Sequence, residues 1–191
     1  MAMIAVAAGS GKLMLAHHMH ALTQRDQIRY SKLPKGDLNE IIAALLKRVK
    51  QEDCSEDWKK PLRNEVRTYR VEKVSLSPES QGQFIVHGWG PCACSATGNC
   101  TAWVLERRGN NFRTLLADGG FNGYSVEDSA TNGYKDLIFS SHDSASSQVV
   151  DVYRFDGRKY KRYQCYLVSS WAHGRPHKLK RPDITRMKDC E

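Results

Sequence analysis

The residues of this chain best suited to chemistry lie in one short polar stretch that ends at Asp136. Asp128, Asn132 and Asp136 supply side-chain oxygens at intervals of four residues, and Gly133 permits a sharp turn between them. Calcium takes about six to eight oxygen ligands, and calcium loops combine alternating oxygen-bearing residues with a glycine and a later carboxylate. One expected ligand position is occupied by Ala130, which has no side-chain oxygen. We expect hydrogen bonds within the stretch to order it, with calcium as the alternative.

A serine, a histidine and an aspartate follow one another in Ser141-His142-Asp143. Consecutive residues on a strand point to opposite faces, so such neighbours cannot relay a proton among themselves. The chain also has no Gly-x-Ser-x-Gly nucleophile elbow. We therefore treat His142 and Asp143 as candidate binding residues. A hydrolase that uses these two residues, or a metal, is the alternative function.

The cysteines favour disulfide bonds. An even number of cysteines in a basic, glycine-rich chain is typical of an oxidising compartment. Proximity favours a bridge between Cys165 and Cys190 and another within the cluster at 92–100, which leaves Cys54 for the third member of that cluster. A zinc site that includes His87 is the alternative, although the cluster lacks the paired Cys-x-x-Cys spacing of structural zinc sites. The six cysteines are Cys54, Cys92, Cys94, Cys100, Cys165 and Cys190.

The composition is that of a globular protein. The chain has 191 residues, of which 40% are hydrophobic and 26% charged, which excludes a wholly disordered protein. No apolar run reaches the roughly 18 residues of a transmembrane helix. The net charge of +8 favours an acidic surface, an acidic glycan or a protein partner. No nucleic-acid-binding motif is present, so we do not expect nucleic acid as a partner.

The chain divides into an N-terminal segment and one β-rich domain. Residues 1–36 contain a short apolar run and therefore resemble an export signal. The signal is weak, because the basic start is missing and a lysine interrupts the apolar middle. Residues 37–191 form the predicted domain. Apolar residues at helical spacing predict an amphipathic helix over 37–51, with Asp37 and Glu40 placed almost as a capping box. Prolines and polar residues predict an extended C-terminal tail over 172–191.

Two stretches, offset by 48 residues, repeat one pattern. Trp103–Leu115 aligns with Asp151–Tyr163, so that each copy has a glycine, an aromatic residue three positions later and then a basic residue. A repeat of about 50 residues built from short strands has the size of a β-propeller blade, but two blades cannot close a ring. The sequence therefore predicts a mainly β protein with about eight strands. Its two repeated antiparallel units would pack as a sandwich or split barrel, covered by the N-terminal helix.

The stretch from Asp128 to Leu137 resembles a degenerate FG-GAP repeat, whose loop pattern is Asp-x-Asp/Asn-x-Asp-Gly-x-x-Asp-Leu. The upstream copy, Ser77–Gly82, retains less of this pattern, and the resemblance spans residues 70–166. The hairpin pair and the residues at 179–185 also resemble secreted bacterial proteins of uncharacterised function. FG-GAP repeats are usually extracellular, calcium-assisted binding modules. The resemblance thus implies a secreted binding protein with a propeller-like repeat.

These features together predict a non-catalytic secreted or periplasmic protein with a binding or structural role, such as a subunit of an extracellular assembly. Its loops would form the contact surface. Trp89 lies between two glycines and is the aromatic residue that we expect to be exposed for binding. An inhibitor of a hydrolase is the alternative binding function.

Overall fold

The computed structural model of this protein describes residues 33, 35–54, 59–80, 82–171 and 178–188. Residues 1–32 of the signal-like segment and Cys190 lie outside the described residues. The helices are α1 (Lys35–Leu45) and α2 (Leu62–Val66), with a 3₁₀ turn at Gln51–Asp53. The strands are β1 (Arg70–Val74), β2 (Gln83–His87), β3 (Cys100–Arg108), β4 (Asn111–Phe121), β5 (Gly123–Thr131), β6 (Tyr134–His142), β7 (Ser147–Phe155), β8 (Tyr160–Trp171) and β9 (Lys178–Arg186).

The strands form two antiparallel sheets that both follow chain order. Sheet 1 has the order β1-β2-β3-β4, and sheet 2 has the order β5-β6-β7-β8-β9. Short turns suffice for such connections, and glycines at positive φ supply them at Gly109 (60°) and Gly157 (96°). The chain passes from sheet 1 to sheet 2 at Asn122, between β4 and β5. The prediction of a mainly β protein with two antiparallel units is confirmed.

The two copies of the sequence repeat form equivalent hairpins. In the β3–β4 hairpin Arg107 pairs with Phe112, and the residues 48 positions later, Phe155 and Tyr160, also pair. In each hairpin the register shifts two to three residues before this pair. The repeat is therefore structural as well as sequential. Its two units form two sheets and not the blades of a closed propeller.

A core of apolar side chains lies between the two sheets. Alternation along the strands places Ile85 of sheet 1 and Leu137 and Phe139 of sheet 2 in this core. Phe121, at the end of β4, has its ring centre 4.6 Å from that of Phe139 and 6.1 Å from that of Tyr153. The sheets thus enclose one core in a sandwich-like fold, as predicted.

A buried carboxylate joins the two sheets near the β3–β4 turn. The Glu106 side chain on β3 is fully buried and lies 2.8 Å from Nη2 of Arg108 and 3.7 Å from Nε of Arg113. The Tyr134 hydroxyl on β6 donates to Glu106 at 2.5 Å. Burial raises the pKa of Glu106, but hydrogen bonds from Tyr134 and Ser80 and the two arginines outweigh it, so the pKa is lowered. Glu106 is therefore held in its charged form between the sheets.

The opposite face of sheet 1 packs against α1. Ile41, Ile42 and Leu45 of the helix are buried in one cluster with Phe84 and Trp103 of the sheet. This is the apolar helix face that the sequence predicts. The helix ends at residue 45, earlier than the predicted 51, and a 3₁₀ turn follows it.

Asp37 and Glu40 fasten α1 to the sheet. The helix begins at residue 35, so Asp37 lies within the first turn instead of at the predicted N-cap. Both carboxylates pair with the Arg107 guanidinium on β3, with Oδ1 of Asp37 2.8 Å from Nη2. A guanidinium from a neighbouring strand offers carboxylates strong, charge-assisted hydrogen bonds. Arg107 also lies over the Phe112 ring, 4.8 Å from its centre.

The predicted C-terminal tail contains a ninth strand. β9 pairs with β8 and forms the edge of sheet 2, with Ile184 opposite Val168. The register shifts between Ser169 and Trp171, beside the part of β9 that contains Pro182. An edge strand tolerates a proline because its outer side has no partner strand. The proline therefore interrupts the pairing without excluding the strand.

Two disulfides fasten the loop between β2 and β3. Cys94 is bonded to Cys100, and Cys92 is bonded to Cys54, which follows the 3₁₀ turn. Cys165 on β8 is also disulfide-bonded, but the predicted bridge to Cys190 falls outside the described residues. No described cysteine is free. Since disulfide sulfurs are not thiolate ligands, the alternative zinc site is not formed.

We expect the Cys54–Cys92 bridge to stabilise the protein more than the Cys94–Cys100 bridge does. A bridge restricts the unfolded chain, and the effect grows with the logarithm of the loop length. The sequence separations are 38 and 6 residues, which correspond to about 4 and about 2 kcal/mol. Urea unfolding of the two double alanine variants measures both losses. A larger loss for the Cys94→Ala/Cys100→Ala variant would contradict this ranking.

Candidate functional site

The predicted calcium loop is a β-hairpin with a two-residue turn. β5 continues to Thr131 and β6 begins at Tyr134, so that Asn132 and Gly133 alone connect them. Their φ angles are 49° and 79°, and positive φ at both positions is what a type I′ turn requires. The Asn-Gly pair is a strong sequence signal for this turn. The stretch expected to be ordered by its own hydrogen bonds is thus a hairpin whose turn is the Asn-Gly pair.

Two of the three predicted calcium ligands have separate partners at this hairpin. Asp128 is fully exposed, and its Oδ1 lies 3.9 Å from Nζ of Lys135. The Asn132 side-chain amide donates to the Phe155 carbonyl at 2.8 Å. This second contact joins the β5–β6 turn to the end of β7. Neither side chain is directed toward a shared ion position by these contacts.

Asp136, the third predicted ligand, is buried on β6. It accepts hydrogen bonds from the hydroxyls of Ser129 and Thr131, both at 2.8 Å, and lies 3.6 Å from Nε of Arg154. These groups supply the donors that a buried carboxylate needs. Within the described ranges, no group of three or more His, Cys, Asp or Glu side chains is placed to hold a metal ion. Hydrogen bonds thus account for the order of the hairpin, and calcium binding stays a prediction.

His142 and Asp143 lie at the exposed end of β6. The Asn99 side chain donates to the His142 carbonyl and accepts from the His142 N–H, both at 2.8 Å. The Asp143 carboxylate accepts from the Ser147 hydroxyl at 2.6 Å. These contacts give both residues a structural role at the end of the sandwich. They do not assemble a nucleophile with a base.

Trp89 lies exposed on the loop between β2 and β3. Its exposed fraction is 50%, and among the described residues Tyr163 is the other large aromatic side chain with comparable exposure. The Arg70 guanidinium lies over the Trp89 ring, 4.6 Å from its centre. Such a cation–π contact orients the ring and places a positive charge beside it. Trp89 and Arg70 together form what we call the tryptophan platform.

The two glycines that flank Trp89 are required by close packing. A Cβ atom at Gly88 would lie 2.5 Å from the Ala93 Cβ and 2.8 Å from the Thr101 carbonyl oxygen. At Gly90, where φ is 81°, a Cβ would collide with the buried Glu65 carboxylate of α2. Glycine is thus the residue that permits these approaches. The loop behind Trp89 is therefore packed firmly onto sheet 1 and α2.

A groove of about 710 Å³ adjoins this loop. The loop residues from Cys92 to Cys94 form one wall, and the residues that follow α1, among them Lys47 and Arg48, form another. Both basic side chains are exposed. The groove also contains Asp118, whose carboxylate is engaged by the hydroxyl of a tyrosine on β7 at 2.7 Å. Asp53, which is exposed, also lines the groove, so two basic and two acidic residues line it.

His87 lies at the end of β2, directly before the loop between β2 and β3 that displays Trp89, and its ring nitrogens are buried. Burial lowers the pKa of His87 below 6.5, and the nearby Arg70 guanidinium lowers it further. The backbone groups of Phe121 and Gly88 near the ring raise the pKa in part. His87 is therefore neutral at physiological pH and belongs to the support of the loop.

The fold and site define a class of protein: two antiparallel sheets around one core, capped by a helix, with a disulfide-closed loop that displays a tryptophan. Comparison with protein-family models, with curated proteins and with solved structures found no match. In the part of the chain that the structure describes, no helix has the length and hydropathy of a membrane span.

We expect the protein to lose stability as the pH falls below 6.5. The pKa of His87 is lower in the folded protein than the ordinary value of 6.5, so the unfolded chain takes up the proton first. This contribution is fully present above pH 6.5 and is lost as the pH falls toward the folded-state pKa. Urea unfolding over about pH 5 to 8, where histidines change charge, measures it.

The His87→Gln variant should show a flatter dependence of the free energy of unfolding on pH over this range. His142→Gln is the matched control, because His142 is exposed. An unchanged slope in His87→Gln, or an equal flattening in both variants, would show that His87 is not the responsible group.

Proposed function

We propose that this protein is a non-catalytic binding module of an oxidising compartment, secreted or periplasmic, that contacts an acidic partner through the tryptophan platform. The observation that carries this proposal is the exposure of Trp89 on a loop closed by two disulfides. Large aromatic side chains contribute most of the binding energy at many interfaces, and tryptophan and arginine are enriched among them. The platform presents both.

The rigidity of the loop supports a role in binding. Its backbone is held by the two disulfides and by the Cys92 N–H, which donates to the Glu65 carboxylate at 3.4 Å. A surface that is ordered before it meets its partner loses less conformational entropy on association. The loop therefore meets a partner with Trp89 already in position.

The charge of the platform favours an acidic partner, such as an acidic glycan or an acidic protein surface. Arg70 places a guanidinium in the platform itself, whereas Lys47 and Arg48 line the adjoining groove together with Asp53 and Asp118. A chain with a net charge of +8 also attracts acidic partners at long range. A tryptophan ring adds an apolar surface on which a sugar ring or an aliphatic side chain packs.

The disulfides support the proposed compartment. Disulfides persist in secreted and periplasmic proteins and are rare in the cytosol, where thiols are kept reduced. Four of the described cysteines form two complete bridges around the platform loop. Reduction of these bridges in the cytosol would release the loop that we propose as the contact surface.

Inhibition of a hydrolase is a form of this same binding function, in which the acidic partner is an enzyme. The alternative of a hydrolase built on His142 and Asp143 receives less support from the geometry. Asp143 is bonded to Ser147, and the polar contacts of His142 are made by its backbone. Substrate turnover that is lost in His142→Ala would favour the hydrolase.

We expect the wild-type protein to bind a sulfated glycan such as heparin at low salt, and to bind neutral dextran more weakly. Trp89→Ala should weaken heparin binding at least tenfold, since it removes the aromatic surface, while its urea midpoint stays close to that of the wild type. Binding should also weaken with added salt, because the charges are exposed. Isothermal titration calorimetry measures the affinities.

Tyr163→Ala is the matched control for this experiment. Tyr163 is the other strongly exposed aromatic residue, and it also carries a guanidinium over its ring, that of Arg154 at 3.7 Å. It lies on β8 of sheet 2, away from the platform loop. Equal losses in both variants, or no binding of the wild type to any acidic polymer, would contradict the proposal.

A further inference from the structure

A second recess, of about 270 Å³, lies at one end of the core between the two sheets. β4 contributes Gly119 and Gly120, and β6, β7 and β8 contribute the facing wall. Cys100 pairs with Phe121 and Ala102 with Asp118, so the two glycines form a bulge opposite a single residue of β3. β-Bulges interrupt the ladder and are frequent beside binding sites. The bulge opens the sandwich at this end.

A buried carboxylate lines this recess. The Asp151 side chain on β7 is 6% exposed, and its Oδ1 lies 3.4 Å from Nε of Arg162 without forming a hydrogen bond. Buried carboxylate oxygens in folded proteins normally accept at least one hydrogen bond. The carboxylate oxygen of Asp151 is therefore available to a donor that enters the recess.

The Arg162 guanidinium is shared between two carboxylates. Its Nη2 lies 3.4 Å from Oδ2 of Asp118, and its Nε lies 3.2 Å from the Tyr153 hydroxyl, which itself donates to Asp118 at 2.7 Å. Asp151 thus competes with Asp118 for one cation. Burial raises the pKa of Asp151, Arg162 opposes this, and the Asp118 charge raises it again. An additional positive charge beside Asp151 would stabilise its carboxylate form.

The other residues that line the recess are uncharged, and its walls are partly apolar. Phe121, Val149 and Met187 supply apolar atoms, and Ser141 supplies a hydroxyl. Asp151 and Arg162 are thus the charged residues that line the recess, and with Asp118, which also pairs with Arg162, two carboxylates share one cation. Since a water molecule occupies about 30 Å³ of the liquid, the recess has room for a small organic molecule and is smaller than a drug-sized site.

We propose that this recess binds an alkylammonium group, whose N–H donors reach Asp151 and whose short apolar chain lies against Val149 and Met187. The site differs from the tryptophan platform in position, and it offers a buried carboxylate where the platform offers an exposed ring and a guanidinium. Free alkylamines and the lysine side chains of peptides offer the same ammonium chemistry, so the experiment includes both sources.

The test is a titration of the full chain with n-butylammonium chloride, followed by two-dimensional amide NMR. The amide signals of Gly119, Gly120 and Ser141 should shift in a saturable way. The neutral isostere 1-butanol should leave them unchanged or require at least tenfold higher concentrations. The peptide Gly-Lys-Gly replaces butylammonium in a second arm. Binding of butylammonium alone assigns the site to free amines, and binding of both includes lysine side chains.

Asp151→Asn should weaken butylammonium binding at least tenfold, because it removes the charge and keeps the shape. Asp143→Asn is the matched control, since that carboxylate is exposed at the end of β6 and accepts from Ser147. Trp89→Ala should leave butylammonium binding unchanged, which separates this site from the platform.

The proposal is overturned if 1-butanol and butylammonium shift the same signals equally, or if neither ammonium probe shifts them. It is also overturned if a folded Asp151→Asn variant binds butylammonium as the wild type does. The comparison with 1-butanol uses the wild type and remains decisive if that variant does not fold.

Discussion

The architecture depends on keeping a buried charge paired between two sheets. Glu106 is fully buried, and an ionised carboxylate without partners in such a place would be strongly destabilising. Its partners come from both sides of the core: Arg108 and Arg113 from sheet 1, and the Tyr134 hydroxyl from sheet 2. The Tyr134 ring is itself fixed by stacking on Phe155, with 3.9 Å between ring centres. The requirement for these partners fixes the position of one sheet relative to the other.

Other buried or half-buried charges are also paired across elements of the fold. Arg107 holds α1 through Asp37 and Glu40, and Arg162 holds β8 against β4 through Asp118. These arginines therefore hold elements of the fold together. Guanidinium groups lie over two exposed aromatic rings, Arg70 over Trp89 and Arg154 over Tyr163, and the first pair forms the tryptophan platform.

The sequence predicts the fold well because the signals for it are local. Alternation along the strands, the repeat and the helical spacing of Ile41, Ile42 and Leu45 each reflect which face of one element is buried. The site is harder to predict. Asp151 and Arg162 lie on neighbouring strands and line one recess with Gly119 and Gly120 of β4, more than 30 residues earlier in the chain. No spacing pattern in the sequence predicts that these residues lie together. At 128–136 the local signal was the Asn132-Gly133 pair, which indicates a two-residue hairpin turn, whereas the partners of Asp136 and Asn132 depend on how the strands pack.

The central claim is that Glu106 and Tyr134 couple the two sheets. A double-mutant cycle with Glu106→Gln, Tyr134→Phe and the combined variant, measured by urea unfolding, tests it most directly. A hydrogen bond to a charged group contributes about 1.5 to 3 kcal/mol, so we expect a coupling energy of about that size. Two single losses that simply add, with a coupling energy near zero, would contradict the account, because they would show that the two side chains do not interact across the core.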